Sequence, residues 1–212
     1  MKDIPIIYQD ADLLIVNKPC GIAVQGGAGI NVCLVDILER QTGSKVYPVH
    51  RLDKDTAGIL VVARSSESAA LVGSYISEKK LGKEYQAICF GFPDLPQGII
   101  STAAGRAGNE KPAETRYKIL ASNSLYSLIS LELITGRMHQ IRMHLSSVGC
   151  PIVADDKYGD FTKNKEVRSL YSIRKLQLVA NRLSLPVATK IHQFDISLPE
   201  HMEACLTKLG IV

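Results

Sequence analysis

A wholly apolar run, Gly-Ile-Leu-Val-Val-Ala at residues 58–63, directly follows a charged segment, and this succession constrains the fold more than any other feature. The run predicts a strand that is buried on both faces. The segment before it, His50–Thr56, places five ionisable residues in its first six positions. Because burying unpaired charges is costly, these side chains are expected to be paired or to line a cleft. A solvated charged loop is the alternative that composition alone favours.

A second charged segment, Thr135–His144, combines a helix pattern with cations near the helix start. It predicts a helix over residues 138–148, capped by Thr135 and closed by Gly149. Its predicted apolar stripe is Met138, Ile141, Leu145 and Val148, and a second face holds His139, Arg142 and Ser146. The helix dipole disfavours cations there, so they require a negative partner, either a phosphate or a carboxylate from elsewhere in the chain. A surface helix with unfavourably placed charges is the alternative.

The third segment is Lys83-Glu84-Tyr85-Gln86-Ala87, at the start of a strand predicted over residues 83–90. Strand alternation puts Tyr85 on the same face as Lys83 and Ala87, so the ring can line the floor of a cleft. An aromatic ring is also an ordinary strand residue, and the pattern alone favours that interpretation.

The remaining elements mix strands and helices without βαβ regularity, which predicts an α+β fold with an extended sheet. Residues 4–8 and 13–16 predict a hairpin, and further strands are predicted over residues 113–120, 126–134, 176–185 and 191–197. A helix capped by Asn31 and stopped by Gly43, a helix capped by Ser66, and one over residues 199–208 complete the prediction.

Composition limits the class of protein. The 212 residues are 46% hydrophobic and 22% charged, as in a globular protein with a core, and a single domain over residues 1–212 is expected. No stretch approaches the roughly 18 uninterrupted apolar residues of a membrane span. The formal charge of +4 makes a polyanionic partner more plausible than a cationic one.

The five cysteines contain no CxxC pair, are odd in number and stand beside apolar residues. They are interpreted as buried thiols of a reducing compartment. The first residues carry no secretory signal pattern, so the cytoplasm is the expected location.

Together with Asn17–Gly21 and Asp155–Asp160, the three segments closely resemble the RluA-type RNA pseudouridine synthases. The family's motifs have the forms H-R-L-D-x-x-T-S-G, K-x-Y-x-A and T-G-R-x-H-Q-I-R-x-H. The chain carries them in this order and at compatible separations. Within this family, the sequence is most similar to the branch that modifies large-subunit ribosomal RNA. Three departures, Ala57 for Ser, Met138 for Thr and Cys20 for Ser, spare the motif's Asp, Tyr and Arg.

The resemblance implies a fold and a set of site residues. The fold is an extended, mixed and mostly antiparallel sheet flanked by helices and loops, with a central active-site cleft. Asp53 matches the family's essential aspartate, Tyr85 the tyrosine that stacks on the target base, and Arg142 the arginine that ion-pairs with that aspartate. Arg51 matches the arginine that can help displace the target nucleotide. The other substrate-binding candidates are Lys54, Thr56, Lys83, Arg137, His139 and Ile141.

The resemblance also implies an isomerisation of uridine to pseudouridine that needs no cofactor and no metal. The RNA substrate is ribosomal by preference, with transfer RNA as the other candidate, and its target base must be flipped out of the fold. A monomeric catalytic domain is expected, without an S4-like RNA-binding domain and without an obligate protein partner. Whether Asp53 attacks C1′, attacks C6 or removes a ribose proton is left open.

Two other functions fit parts of the sequence. A catalytically inert RNA-binding module of the same fold would share the basic residues. A phosphatase would use Asp53-Lys54-Asp55-Thr56 as its D-x-D-x-T motif, with Asp155 and Asp156 as later metal ligands. That motif normally follows an apolar strand, whereas here the apolar strand comes after it.

Overall fold

The computed structural model describes residues 2–187 and 190–211. Within these residues the chain forms ten strands and five helices, and the predicted α+β class is confirmed. In chain order they are β1 (Ile6–Gln9), β2 (Leu13–Lys18), α1 (Leu34–Thr42), β3 (Tyr47–Pro48), β4 (Ala57–Ala63), α2 (Ser66–Ser77), β5 (Gly82–Phe90), β6 (Gln97–Arg106), β7 (Asn109–Ser122), β8 (Tyr126–Leu133), α3 (Gln140–Ser147), α4 (Phe161–Tyr171), β9 (Leu178–Val187), β10 (Lys190–Asp195) and α5 (Glu200–Leu209).

The chain divides into two compact units. The first unit comprises Met1–Lys83 and Ala180–Ser197, and the second comprises Glu84–Val179 and Leu198–Val212. In the described part of the chain, no helix combines the length and the apolar character that crossing a bilayer requires.

The first unit is built on antiparallel strands around β4. Strand β2 pairs with β1 on one side and with β4 on the other, β3 also pairs with β4, and β10 pairs with β9. Every residue of β4 is buried, so the apolar run lies at the centre of its sheet, as its sequence predicts. The core around it is formed by Leu13, Ile15, Ile59, Val61, Ala63, Val72, Leu183 and Leu185.

Gly58 has a strict packing requirement at the start of β4. Its φ is +118°, and a Cβ at this position would stand 2.2 Å from the carbonyl oxygen of Ala180. Only glycine avoids both the unfavourable dihedral and the clash. The strand that follows the charged loop is therefore held directly against the backbone of Ala180.

The second unit contains an antiparallel sheet in the order β5-β8-β7-β6. The pairing of β5 with β8 places Tyr85 opposite Leu131, and Tyr117 of β7 is the other neighbour of Leu131. Helix α3 is joined to this sheet by polar contacts, since the imidazole Nε2 of His144 lies 3.1 Å from the carbonyl oxygen of Thr102 on β6. Helix α3, which carries Arg142, is thus held against this sheet.

The structure corrects several predicted boundaries and adds three elements that the sequence analysis does not predict. Helix α1 starts after Cys33 instead of Asn31, because the Asp36 carboxylate accepts a hydrogen bond of 2.8 Å from the Cys33 N–H. The predicted stop of α1 at Gly43 is confirmed, and the φ of this glycine is 67°. Helix α2 is capped by Ser65 instead of Ser66. The added elements are the two-residue strand β3, strand β6 and helix α4.

Candidate active site

The loop of residues 50–56 in the first unit is anchored by its uncharged members. Leu52 and Thr56 are buried, and the Thr56 N–H donates to the Asp53 carbonyl at 3.2 Å, which closes a turn. Arg51, Lys54 and Asp55 are exposed, and Asp53 is half-buried. The loop is fixed at both ends while most of its charges face solvent. It therefore has features of both alternatives from the sequence analysis, namely a loop anchored beside a buried strand and a solvated charged loop.

Lys18 holds this loop in place through hydrogen bonds to backbone carbonyls, a role that the sequence pattern does not reveal. Its side chain is completely buried at the end of β2, and its ammonium donates to the carbonyls of Pro19, Ile22 and Lys54 at 3.0, 2.8 and 2.9 Å. Three donors thus meet three acceptors. Burial lowers the pKa of Lys18 to about 8, although the nearby Cys20, Asp55 and Asp53 act in the opposite direction.

His50 and Lys83 are two neighbouring, half-buried basic residues of the first unit. The imidazole Nε2 of His50 accepts a hydrogen bond of 3.2 Å from the Val61 N–H, which fixes the ring against β4. Burial, and then the charge of Lys83, lower the pKa of His50 well below its ordinary value. Burial lowers the pKa of Lys83 to about 8. His50 is therefore neutral at pH 7, and Lys83 is the cation of the two.

Tyr85 lies on β5 in the second unit. Its side chain is buried and shares a face with the buried Ala87, whereas Glu84 and Gln86 on the other face are half-buried. The alternation predicted for Tyr85 and Ala87 is confirmed.

Arg142 has a carboxylate partner that the sequence analysis did not assign. Its Nε and Nη2 each donate to one oxygen of Asp155 at 2.7 Å, which is a bidentate pair. The side chains of Arg142 and Asp155 are only 10% and 1% exposed. The expected need for a carboxylate from elsewhere in the chain is thus met by Asp155. The predicted ion pair of Arg142 with Asp53 stays a prediction.

Asp155 is held ionised by several donors. Its Oδ1 also accepts from the N–H groups of Lys157 and Tyr158 at 2.9 and 3.0 Å. Burial alone would raise the pKa of Asp155, but the hydrogen bonds from Arg142, Tyr158 and Lys157 outweigh it and hold the pKa below its ordinary value. The arrangement fixes the plane of the guanidinium.

The turn after Asp155 brings Tyr158 to the same group of side chains. Its ring centroid lies 5.2 Å from the Cζ atom of Arg142, and its hydroxyl lies 2.9 Å from Nδ1 of His139. Gly159 completes the turn, because a Cβ there would stand 2.2 Å from the Asp155 carbonyl oxygen. His139 and Arg142 are therefore brought together around Tyr158.

Gln140 organises the start of α3, and it corrects the predicted cap at Thr135. Its side-chain oxygen accepts from the Thr135 hydroxyl at 2.8 Å and from the Arg137 N–H at 2.9 Å, and its amide donates to the Glu114 carbonyl at 2.9 Å. The helix begins at Gln140, after His139, whose φ is 55°. The loop before α3 is thereby tied to β7.

This start also changes the predicted faces of α3. Ile141 and Leu145 are buried as expected, but Met138 and Val148 are exposed, because both lie outside the helix. Arg142 is buried, and Arg137 is exposed in the loop.

The candidate residues divide between the units as follows. The first unit holds Arg51, Asp53, Lys54, Thr56 and Lys83, and the second holds Tyr85, Arg137, His139, Ile141 and Arg142. Among the residues that the structure describes, no group of three or more His, Cys, Asp or Glu side chains is arranged to hold a metal ion.

Comparison with known proteins identifies similar families and structures. The model of the family described as RNA pseudouridylate synthase matches residues 12–147, a range that contains all three motif segments. Ribosomal large subunit pseudouridine synthase D of Buchnera aphidicola is 33% identical, and the match covers 96% of this chain and 73% of that protein. Ribosomal large subunit pseudouridine synthase C of Rickettsia typhi is 36% identical, with 95% of this chain and 70% of that protein covered.

Two solved human structures are similar over nearly the whole chain. RNA pseudouridylate synthase domain containing 4 has a TM-score of 0.82 and 27% identity, and the match covers 98% of this chain and 94% of that one. RNA pseudouridylate synthase domain containing 1 has a TM-score of 0.79 and 26% identity, with 96% and 87% covered.

Proposed function

The chain belongs to the RNA pseudouridylate synthase family, and from this premise we propose that it isomerises specific uridines of ribosomal RNA, with Asp53 as the catalytic carboxylate. It is an isomerase that acts on uridines in RNA. The observation that carries the proposal is the presence of all three motif segments, with their Asp, Tyr and Arg, inside the matched range. The relatives' names favour large-subunit ribosomal RNA over transfer RNA as the substrate.

The reaction requires a carboxylate, a surface for the detached base and a dry pocket. The N1–C1′ bond of uridine breaks, the base turns and C5 bonds to C1′. C5 then loses its proton and N1 gains one, so the product is an isomer of uridine and the reaction is redox-neutral. Asp53 supplies the carboxylate and Tyr85 the stacking face, while Ile141 helps to exclude water. The guanidinium of Arg142 is held in one orientation by its two hydrogen bonds to Asp155.

The remaining candidates bind the RNA. Arg51 helps to displace the target nucleotide, and Lys54, Thr56, Lys83, Arg137 and His139 contact the RNA around it. The exposure of Arg51, Lys54 and Arg137 supports this role, since a phosphate can reach them. We further propose a single cytoplasmic catalytic domain over residues 1–212 that acts as a monomer and needs no obligate protein partner.

The Asp53→Asn variant tests the proposal. We expect it to form no pseudouridine in large-subunit ribosomal RNA while binding that RNA nearly as well as the wild type, because the substitution removes the carboxylate and keeps the shape. Carbodiimide-dependent stops of reverse transcription report the product, and a filter-binding titration reports affinity. Appreciable turnover by Asp53→Asn would contradict the assignment.

The same assay separates the two other functions. An inert RNA-binding module would create no stop with the wild-type protein. The phosphatase is disfavoured by the fold, because the residues before Asp53 form only the short strand β3 and the buried strand β4 follows.

A further inference from the structure

Helix α4 and the turn before it carry a concentration of positive charge that neither the motifs nor the matched family range includes. Residues 156–175 hold six basic and three acidic side chains, and all six basic ones are exposed. This short segment accounts for most of the net charge of +4 of the whole chain.

The exposed side of α4 is unusually wide for a helix in a folded protein. Only Asn164 and Val167 are buried among its eleven residues. Phe161, Lys165 and Arg168 follow one another at spacings of four and three, so they share one face of the helix. Phe161 is 73% exposed, so a large aromatic side chain faces solvent on the same helix face as these two cations.

The turn before α4 adds a further exposed cation, Lys157, whose ammonium lies 5.2 Å from the centre of the Tyr158 ring. Arg168 Nη2 lies 3.5 Å from an oxygen of Asp156, the residue next to the exposed Lys157. By contrast, Lys163 stands on the flank of α4, 3.9 Å from Asp160 and 5.7 Å from the centre of the Phe90 ring. We call Lys157, Phe161, Lys165 and Arg168 the α4 surface.

The α4 surface is fastened to the candidate active-site residues of the second unit. The side chain of Asn164 accepts from the Ala154 N–H at 2.8 Å and donates to the Asp155 carbonyl at 3.0 Å. Asp160 caps the helix by accepting from the Lys163 N–H at 3.0 Å. The helix is therefore held on the same turn that supplies Asp155 to Arg142.

We infer that the α4 surface binds the substrate RNA beside the target nucleotide, with Lys157, Lys165 and Arg168 on backbone phosphates and Phe161 stacked on an unpaired base. The inference rests on the proposed function. Lysine and arginine neutralise phosphates, and an exposed ring beside them offers the stacking platform that single-stranded RNA uses. An acidic protein partner would match the charge but would give the exposed ring no comparable role.

The experiment compares the full-length wild type with Lys165→Ala/Arg168→Ala, Phe161→Ala and Phe161→Tyr on a structured fragment of large-subunit ribosomal RNA. The double variant should raise KM severalfold with little change in kcat. It should also reduce the slope of log affinity against log salt by about 1 for each phosphate that the variant no longer neutralises. Phe161→Ala should weaken binding without changing that slope, and Phe161→Tyr should restore the affinity, because tyrosine keeps the ring.

Lys118→Ala is the matched control, since Lys118 is an exposed lysine of β7 in the same unit. If the double variant has the same KM and salt slope as this control, the inference is wrong. The proposed function fails in a different way, namely if the wild type makes no pseudouridine in any RNA. The binding titrations alone would still report on the α4 surface in that case.

Discussion

At the scale of single residues, the pair of Arg142 and Asp155 shows what a buried charge needs. Each charge has a bidentate partner, and Asp155 has two further backbone donors. Asp155→Asn would break the buried bidentate ion pair with the Arg142 guanidinium, so we expect it to lower the free energy of unfolding by about 3 kcal/mol at pH 7. Urea denaturation of the two proteins measures the difference.

The neighbouring residue supplies the control for this prediction. Asp156 is 73% exposed and its contact with Arg168 is a surface pair, so Asp156→Asn should change stability by less than about 0.5 kcal/mol. The pKa of Asp155 is lower in the folded than in the unfolded chain. Its contribution is therefore complete at neutral pH and is lost as the pH falls through the folded pKa. The difference in free energy of unfolding between the wild type and Asp155→Asn should therefore become smaller in acid. A difference that stays constant with pH would contradict the ionised pair of Asp155 and Arg142.

The sequence names candidate site residues, but it does not name the groups that hold them in place. Asp53, Tyr85 and Arg142 stand in motifs whose residue types can be read directly, whereas the roles of Lys18, Gln140 and Asp155 depend on backbone groups and side chains that are remote in sequence. The hydrophobic periodicity of a sequence does not indicate which backbone carbonyls will accept hydrogen bonds from a buried lysine. The signal that was present is the family resemblance, because the segments that carry it contain Lys18, Gln140 and Asp155.

At the scale of elements, the sequence predicts the strands that are rich in bulky apolar residues and misses those that are not. Strand β6 consists largely of Gly, Ala, Ser and Thr, and only Ile100 and Ala104 are buried, so it becomes a strand through its pairing with β7. Helix α4 lacks an apolar stripe and is instead held by the Asp160 cap and by Asn164. In both cases tertiary contacts supply what local pattern lacks.

Gly58 gives a prediction at this scale, because it decides how closely β4 approaches the backbone of Ala180. Gly58→Ala should destabilise the protein by about 3 kcal/mol, since the new Cβ would stand 2.2 Å from a carbonyl oxygen at a φ of +118°. Gly73→Ala is the matched control. Gly73 lies inside α2 with nothing within 4 Å of its Cβ position, so this variant should gain about 0.5–1 kcal/mol. The midpoints of urea unfolding should move in opposite directions; equal shifts would refute the packing argument.

At the scale of the whole molecule, the cysteines report how completely the chain is folded. The interpretation of buried thiols is confirmed for Cys33, Cys89, Cys150 and Cys205, whereas Cys20 is partly exposed. Burial raises the pKa of Cys150 to about 11 and that of Cys205 to about 12, and it also raises those of Cys33 and Cys89. Both the access to these four thiols and their thiolate fraction are therefore low in the native protein.

We accordingly expect one fast thiol per chain with a disulfide reagent at pH 8, assigned to Cys20, and four that react only when the structure opens. Cys33 lies in the first unit and the other three protected thiols lie in the second, so their rates measure the opening of each unit separately. Rates of Cys33 and Cys89 that rise in parallel with urea would show that the units unfold together, and different slopes would show that they do not. Labelling followed by peptide mass mapping assigns each rate. A second thiol that reacts as fast as Cys20 in the native protein would contradict the burial on which this argument depends.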